Sequence, residues 1–231
     1  MNATGWSVFR GDLRRSVEAI GQAPMLVVLT FGLHVALYIS RPIVFIAAAL
    51  FLVEAGFVGT QRVWFARIYR GDHVSGREIV PLTGSFIGRF VFLGLLMSIA
   101  ASPFVLLAHP PHERLQVGWA IVVVAVLLVV DIALTFVVPA LALTTRSVSD
   151  ALRIGLLMIK ATWPTSAWYL VTPGLTLVLL SNAVQLSSYS PNVALRIVLI
   201  ASTAVLAVWF KGAIVAFYLR QPPAPPRRST G

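Results

Sequence analysis

One long apolar stretch constrains the fold more than any other feature of the sequence. It runs from Leu115 to Thr145 and carries a single formal charge, on Asp131. An α-helix rises about 1.5 Å per residue, so about 20 apolar residues cross the ~30 Å hydrocarbon core of a bilayer. This stretch is longer than that and apolar on every face, whereas a helix on a soluble domain needs only one apolar face. It therefore predicts a transmembrane helix, bounded by Arg114 and Arg146.

The composition of the whole chain indicates the same class of protein. Hydrophobic residues make up 58% of the sequence and charged residues only 11%. The net charge is +10, from 18 Lys and Arg against 8 Asp and Glu. Because the basic residues flank apolar runs, we expect anionic lipid head groups as their partners and no nucleic acid. The absence of cysteine excludes disulfides, thiol catalysis and thiolate metal sites.

The pattern along the chain predicts an all-α polytopic bundle of six transmembrane helices within residues 24–219. The spans are expected at 24–40, 43–64, 89–108, 115–145, 166–186 and 193–219. Between the second and third spans, the polar residues from Arg62 to Glu78 predict a loop. A short helix would lead out of that loop, weakened by Pro81 and Gly84.

Two further segments predict amphipathic interfacial helices on the cytoplasmic side. In residues 1–23, one narrow stripe of the helix is apolar and consists of Trp6, Phe9, Leu13, Val17 and Ile20. The opposite side is polar and consists of Arg10, Asp12, Arg14, Arg15 and Glu18. A short soluble helix packed on the bundle is the alternative. Residues 147–162 form the second such helix, with Ser147 or Ser149 as N-cap, and the basic, Pro-rich tail 220–231 is expected to be disordered.

The distribution of basic residues gives an independent test of the span count. With six spans and both termini in the cytoplasm, only Arg41, Arg114 and Arg196 of the 18 basic residues fall on the outer side. This agrees with the excess of Lys and Arg in cytoplasmic loops of membrane proteins. Polar segments enter the bundle near Val8, Val74 and Val148, at intervals of roughly 70 residues, which fits three hairpin repeats. Any six-span protein also divides into three hairpins, so the repeat stays open.

Few residues inside the predicted spans could carry chemistry. Glu54 and Asp131 lie near mid-bilayer on the second and fourth spans, where an ionised carboxylate is costly. The functional interpretation is a proton- or cation-responsive pair, joined by His34. The structural interpretation is that each carboxyl is neutral and bonded to a neighbouring hydroxyl or carbonyl group. Lys211 is expected to extend its ammonium group to the inner membrane surface.

The sequence contains no motif that assigns an enzymatic activity, a cofactor or a metal. We find no phosphate-binding Gly-rich loop, no zinc-protease signature and no nucleophile elbow, and we predict no catalytic residue. His109, His112 and Glu113 offer metal-ligand types in one turn, but the intervening prolines favour an ordinary solvated loop.

One segment carries a resemblance to a known group of proteins. Val138-Pro139-Ala140 leads through Thr144-Thr145-Arg146 into a Ser-capped helix that contains Ala151-Leu152. A span that ends in this way resembles the YciC-like bacterial six-span proteins and the membrane domain attached to some glycerophosphoryl diester phosphodiesterases. The chain has no phosphodiesterase domain, so that activity is not implied. The resemblance implies a multi-pass protein of the bacterial cytoplasmic membrane.

Two functions from different classes are compatible with these observations. The preferred one is a non-enzymatic integral membrane protein acting as scaffold, accessory subunit or lipid-surface organiser. Its lipid head-group or partner-binding residues would be the basic side chains of the cytoplasmic side, namely Arg10, Arg14, Arg15, Arg67, Arg70, Arg77, Arg153 and Lys160. The alternative is a small proton-responsive transporter or channel that uses Glu54 and Asp131.

Overall fold

The computed structural model describes residues 3–40, 42–107, 113–187 and 192–221. Within these ranges the protein is all-α, with eight α-helices and one short 3-10 helix at Gly76–Glu78. The α-helices are α1 (Ala3–Gln22), α2 (Met25–Ser40), α3 (Val44–Arg70), α4 (Ile79–Leu107), α5 (Glu113–Leu143), α6 (Val148–Thr162), α7 (Ala167–Ser187) and α8 (Val193–Arg220). Arg41, residues 108–112 and residues 222–231 lie outside the described residues, so the predicted outer turn and the predicted disorder of the tail are not tested.

Several helices have the length and apolar character that crossing a membrane requires. In the described part of the chain, four meet this requirement: Val44–Arg70, Gly76–Ala100, Ala167–Ser187 and Val193–Arg220. The number rises to five if α1 and α2, which meet at an angle of 88°, count as one broken span. The structure therefore confirms an all-α fold with four to five candidate membrane spans in its described residues, whereas the count of six spans stays a prediction.

The boundaries between the second and third predicted spans were wrong. α3 continues beyond Trp64 to Arg70, where Gly71 adopts a φ of +82° that favours glycine and ends the helix. α4 then begins at Ile79, directly after the 3-10 helix, with Pro81 in its first turn. Proline is tolerated there because the first N–H groups of a helix have no intrahelical partner. As a result Arg62 lies on a helix inside the bundle and not in a loop.

Two glycines allow α3 and α4 to pack closely. A Cβ atom on Gly56 would lie 2.4 Å from the carbonyl oxygen of Thr83, and one on Gly59 would lie 2.6 Å from the Phe86 ring. Both contacts are shorter than any side chain tolerates, so glycine is required for this approach. Backbones come this close in membrane bundles because dispersion contacts between small residues hold the helices together.

One end of the bundle brings together α1 and the ends of five other helices. The Tyr169 hydroxyl, at the start of α7, donates to Asp12 on α1. Thr144, just after α5, is 2.6 Å from the Tyr218 hydroxyl near the end of α8. Arg67, in the last turn of α3, pairs with Glu78, which precedes α4. We call this end of the molecule the basic face, because most of the exposed Arg and Lys side chains are attached to these segments and to α6.

The helix expected at the N-terminus is present, but it turns a different face to the bundle. Its fully buried side chains are Phe9, Asp12, Ser16 and Ala19, whereas Val17 of the predicted apolar stripe is 54% exposed. The cause is its packing against α8. Ser16 Oγ donates to the Trp209 carbonyl and Trp209 Nε1 donates to the Leu13 carbonyl, both at 2.7 Å. Placing Asp12 on the exposed polar side was therefore wrong.

The second predicted interfacial helix is present as α6. Ser147 is its N-cap, and its hydroxyl accepts from the Asp150 amide at 3.4 Å. α6 packs on α5 through Gly155, where a Cβ atom would lie 2.7 Å from the Val137 nitrogen. That α1 and α6 lie in the membrane interface stays a prediction, and so do the three hairpin repeats.

Candidate functional site

His34 and Glu54 lie together in a partly open cavity between helices of the bundle. His34 Nε2 on α2 is 3.4 Å from Glu54 Oε1 on α3. Both side chains line a cavity of about 350 Å³ that also involves α7 and α8. The polar part of its lining consists of His34, Tyr38, Glu54, Ser181 and Thr203. An imidazole and a carboxylate in contact can share or exchange a proton, so this is the place in the spans with acid–base character.

Asp131 does not join this pair. Its carboxylate lies beside Gly174 of α7, where an added Cβ atom would be 2.7 Å from Asp131 Oδ2. Asp131 forms no ion pair with any residue that the structure describes, whereas Glu54 contacts His34. The two acids named from the sequence thus lie in different surroundings.

A hydrogen-bonded network in the bundle interior was missed by the sequence reasoning. Lys211 Nζ on α8 donates to Gln61 Oε1 at 2.8 Å, and Gln61 Nε2 donates to Thr30 Oγ1 at 2.6 Å. Arg62 Nη1 donates to the Lys211 carbonyl at 2.7 Å, and the Arg62 side chain is almost fully buried. Lys211 therefore bonds within the bundle and does not extend to the surface as expected. The signal for this network in the sequence was the presence of polar residues at positions 61, 62 and 211 within long apolar runs.

A second cavity opens on the basic face, where α1, α3 and α8 meet. It has a volume of about 580 Å³, and we call it the basic groove. The polar side chains that line it are Arg15, Glu18, Gln22, Tyr69, Arg70 and Arg220. Three separate helices each contribute one arginine, so the groove is a site with several guanidinium donors and a positive local charge.

Asp12 holds Arg220, one of the arginines that line the basic groove. It is fully buried and accepts from the Tyr169 hydroxyl and from the Arg220 guanidinium. Burial raises the pKa of Asp12 above its ordinary value, and the hydrogen bonds from Tyr169 and Arg220 oppose that rise only in part. Asp12 therefore links α1 to α7 and α8 and sets the position of Arg220.

The remaining basic side chains of the predicted lipid-binding set have different surroundings. Five are exposed, and Arg67 is half-buried in its pair with Glu78. Arg14 is 3.4 Å from Glu18 on the same helix. The exposed ones outside the basic groove are Arg10, Arg14, Arg77, Arg153 and Lys160. Of the eight predicted residues, the basic groove brings together only Arg15 and Arg70.

No metal-binding constellation exists in the ranges that the structure describes, where no three His, Asp or Glu side chains come close enough to share an ion. His109 and His112 lie outside these ranges. Comparison with known proteins finds no match to any protein-family model, curated protein or solved structure.

Proposed function

We propose that this chain is a non-enzymatic integral protein of the bacterial cytoplasmic membrane that organises anionic lipids at the inner surface, as a scaffold or accessory subunit. The observation that carries the proposal is the basic face, where exposed arginine and lysine side chains from α1, α6 and the α3–α4 connection gather at one end of an apolar bundle. Anionic lipids attract such residues by about 1 kcal/mol each near the membrane surface.

The proposed topology has six spans with both termini in the cytoplasm. It adds α2 and α5 to the four long apolar helices, and α5 is a 31-residue helix with high apolar content. An even number of crossings is supported by the meeting of α1 and the end of α8 at one face, through Asp12 and Arg220. Reporter tags inserted at His112 and after Gly231 should report opposite compartments, and finding them in the same compartment would refute this topology.

A lipid analysis tests the proposed function directly. The protein is extracted from a mixed bacterial membrane in polymer-bounded discs, and its lipids are compared with those of the bulk membrane. We expect enrichment of anionic lipids, and we expect the enrichment to fall when 0.5 M salt is present during extraction, because salt at about 0.5 M screens exposed charges within a few Å. A lipid composition equal to that of the bulk membrane would contradict the proposal.

An accessory role predicts a stoichiometric protein partner. Gentle extraction and affinity purification of the tagged full-length chain should then yield a second protein in a fixed ratio. A monodisperse homo-oligomer without such a partner would remove the accessory role and leave lipid organisation by itself.

A small proton-responsive transporter is the second candidate, and the His34–Glu54 cavity is the observation that favours it. The interior cations Arg62 and Lys211 supply counter-charges that sequence reasoning did not place in the bundle. Proteoliposome flux measured across a range of pH, with Glu54→Gln and Asp131→Asn compared with wild type, tests this candidate. Because only Glu54 lies in the cavity, Glu54→Gln should abolish pH-dependent flux and Asp131→Asn should not. Absent flux would exclude transport, and flux identical in all three proteins at every pH would exclude a proton-responsive transporter that uses these acids.

A further inference from the structure

We propose that the basic groove binds the phosphate group of one anionic phospholipid, held by the guanidinium groups of Arg15 and Arg70, which line the groove together with Arg220. This inference rests on the proposed function, because it assigns to one site the lipid contacts that the basic face makes in general. The groove lies at the crossing of α1, α3 and α8 and measures about 580 Å³, which is large enough for a head group.

The state of the three arginines shows which donors are open to a ligand. Arg220 is already engaged, because it pairs with the buried carboxylate of Asp12. Arg15 and Arg70 are exposed, and neither forms a hydrogen bond or ion pair with any residue that the structure describes. Glu18 also lines the groove, but its carboxylate pairs with Arg14, at 3.4 Å, and not with Arg15 or Arg70. Two guanidinium forks therefore remain free to bind phosphate oxygens bidentately.

The ends of two helices offer a competing structural explanation for part of this charge. α3 ends at Arg70 and α8 ends at Arg220, and basic residues in a last turn offset the partial negative charge of a helix C-terminus. That explanation does not extend to Arg15, which lies in the middle of α1. The convergence of Arg15 on the other two arginines is what indicates an anionic ligand.

The rest of the lining favours a lipid over a free phosphate ion. The groove is also lined by Ala19, Ile68, Ala216 and Leu219, and Leu219, the least buried of the four, provides the main part of an apolar wall beside the arginines. The glycerol and the first acyl carbons of a phospholipid can pack on such a wall while the phosphate contacts the guanidinium groups. A soluble phosphate would gain nothing from this apolar surface.

Native mass spectrometry of the full-length protein, purified in detergent and supplied with phosphatidylglycerol or phosphatidylcholine, tests the assignment. Wild type should retain one phosphatidylglycerol at least about tenfold more tightly than phosphatidylcholine, as expected for two bidentate charge-assisted contacts. The double variant Arg15→Gln/Arg70→Gln should lose this preference. The matched control Arg153→Gln/Lys160→Gln removes the same charge from exposed positions of α6 on the same face and should retain it. If the first double variant does not purify as a monodisperse species, the single variants Arg15→Gln and Arg70→Gln provide the same comparison.

The other outcomes separate this inference from the proposed function. Equal loss in both double variants would overturn the groove as a site and leave the general attraction of the basic face intact. Wild type without any preference for phosphatidylglycerol would overturn both proposals. Competition by soluble glycerol 3-phosphate as strong as competition by phosphatidylglycerol would overturn the lipid assignment, because the apolar wall would then contribute nothing.

Discussion

Replacing Asp12 with alanine should destabilise the folded protein strongly, although Asp12 lies on a helix expected to be peripheral. The carboxylate is fully buried and accepts from two donors, the Tyr169 hydroxyl and the Arg220 guanidinium. Alanine removes Oδ2, the acceptor of both hydrogen bonds, without supplying another acceptor. The Tyr169 side chain is itself fully buried, so its hydroxyl would lose its partner in a site without access to water.

The size of the effect follows from the two lost contacts. A buried polar group left without a partner costs about 1–3 kcal/mol, and a hydrogen bond to a charged group contributes about 1.5–3 kcal/mol. The Arg220 side chain is 38% exposed, so it can regain solvent contacts and the second contribution is reduced. The sum is a loss of about 2–4 kcal/mol in the free energy of unfolding. Asp12→Asn retains an acceptor for the hydroxyl and should lose about half as much.

Reversible unfolding in mixed micelles of a mild detergent and dodecyl sulfate provides the measurement. Glu18→Ala is the matched control, since it removes a carboxylate from the same helix, and the ion pair of Glu18 with Arg14 is largely exposed. That change should cost less than about 0.5 kcal/mol. If Asp12→Ala were as mild as Glu18→Ala, the buried contact between α1 and the ends of α7 and α8 would not exist in the membrane protein.

Three further predictions concern the same interfaces. Burial raises the pKa of Asp12 above 3.8, so the folded state takes up this proton at a higher pH than the unfolded state does. The free energy of unfolding should therefore rise as the pH falls through the interval just above 3.8. Asp12→Asn should lack this component in a pH series. Gly212→Ala should lower the free energy of unfolding by about 1–3 kcal/mol, because the added Cβ atom would lie 2.1 Å from the Ser16 hydroxyl on α1. Gly11→Ala adds a methyl group in open space and should be neutral or stabilising in the same unfolding assay. Gln61→Leu should lower the free energy of unfolding by about 1.5–3 kcal/mol, because it leaves the Lys211 ammonium group without its acceptor. The loss should be much smaller in a Lys211→Met background, and equal losses in both backgrounds would refute the coupling.

The helix at the N-terminus could be assigned from the sequence, but its buried face could not, because that face depends on long-range packing. Helical periodicity depends on residues three or four apart, which are visible in the sequence. The choice of buried face depends on what α8 presents, and Trp209 and Gly212 are far from α1 in sequence. Asp12 is buried because Tyr169 and Arg220 provide donors, and the sequence of α1 contains no sign of them.

The contacts of the titratable residues within the predicted spans also depend on long-range packing. His34 and Glu54 could be named from the sequence, since titratable groups in apolar runs are few. Their contact, and the separation of Asp131 from them, depend on how the helices rotate about their axes. A rotation of one residue, about 100°, moves a side chain to a different neighbour, and hydropathy does not record it.

The all-α class and the apolar character of the helices follow from the sequence, because hydropathy and helix length are sums over local residues. The sequence predicted a multi-pass α-helical membrane protein, the helix after Ser147 and the excess of basic residues at one end. Which charges lie near one another depends on the tertiary structure, because Arg15 and Arg70 line one groove only when α1, α3 and α8 pack. The basic groove is a property of that packing, since its three arginines come from three different helices.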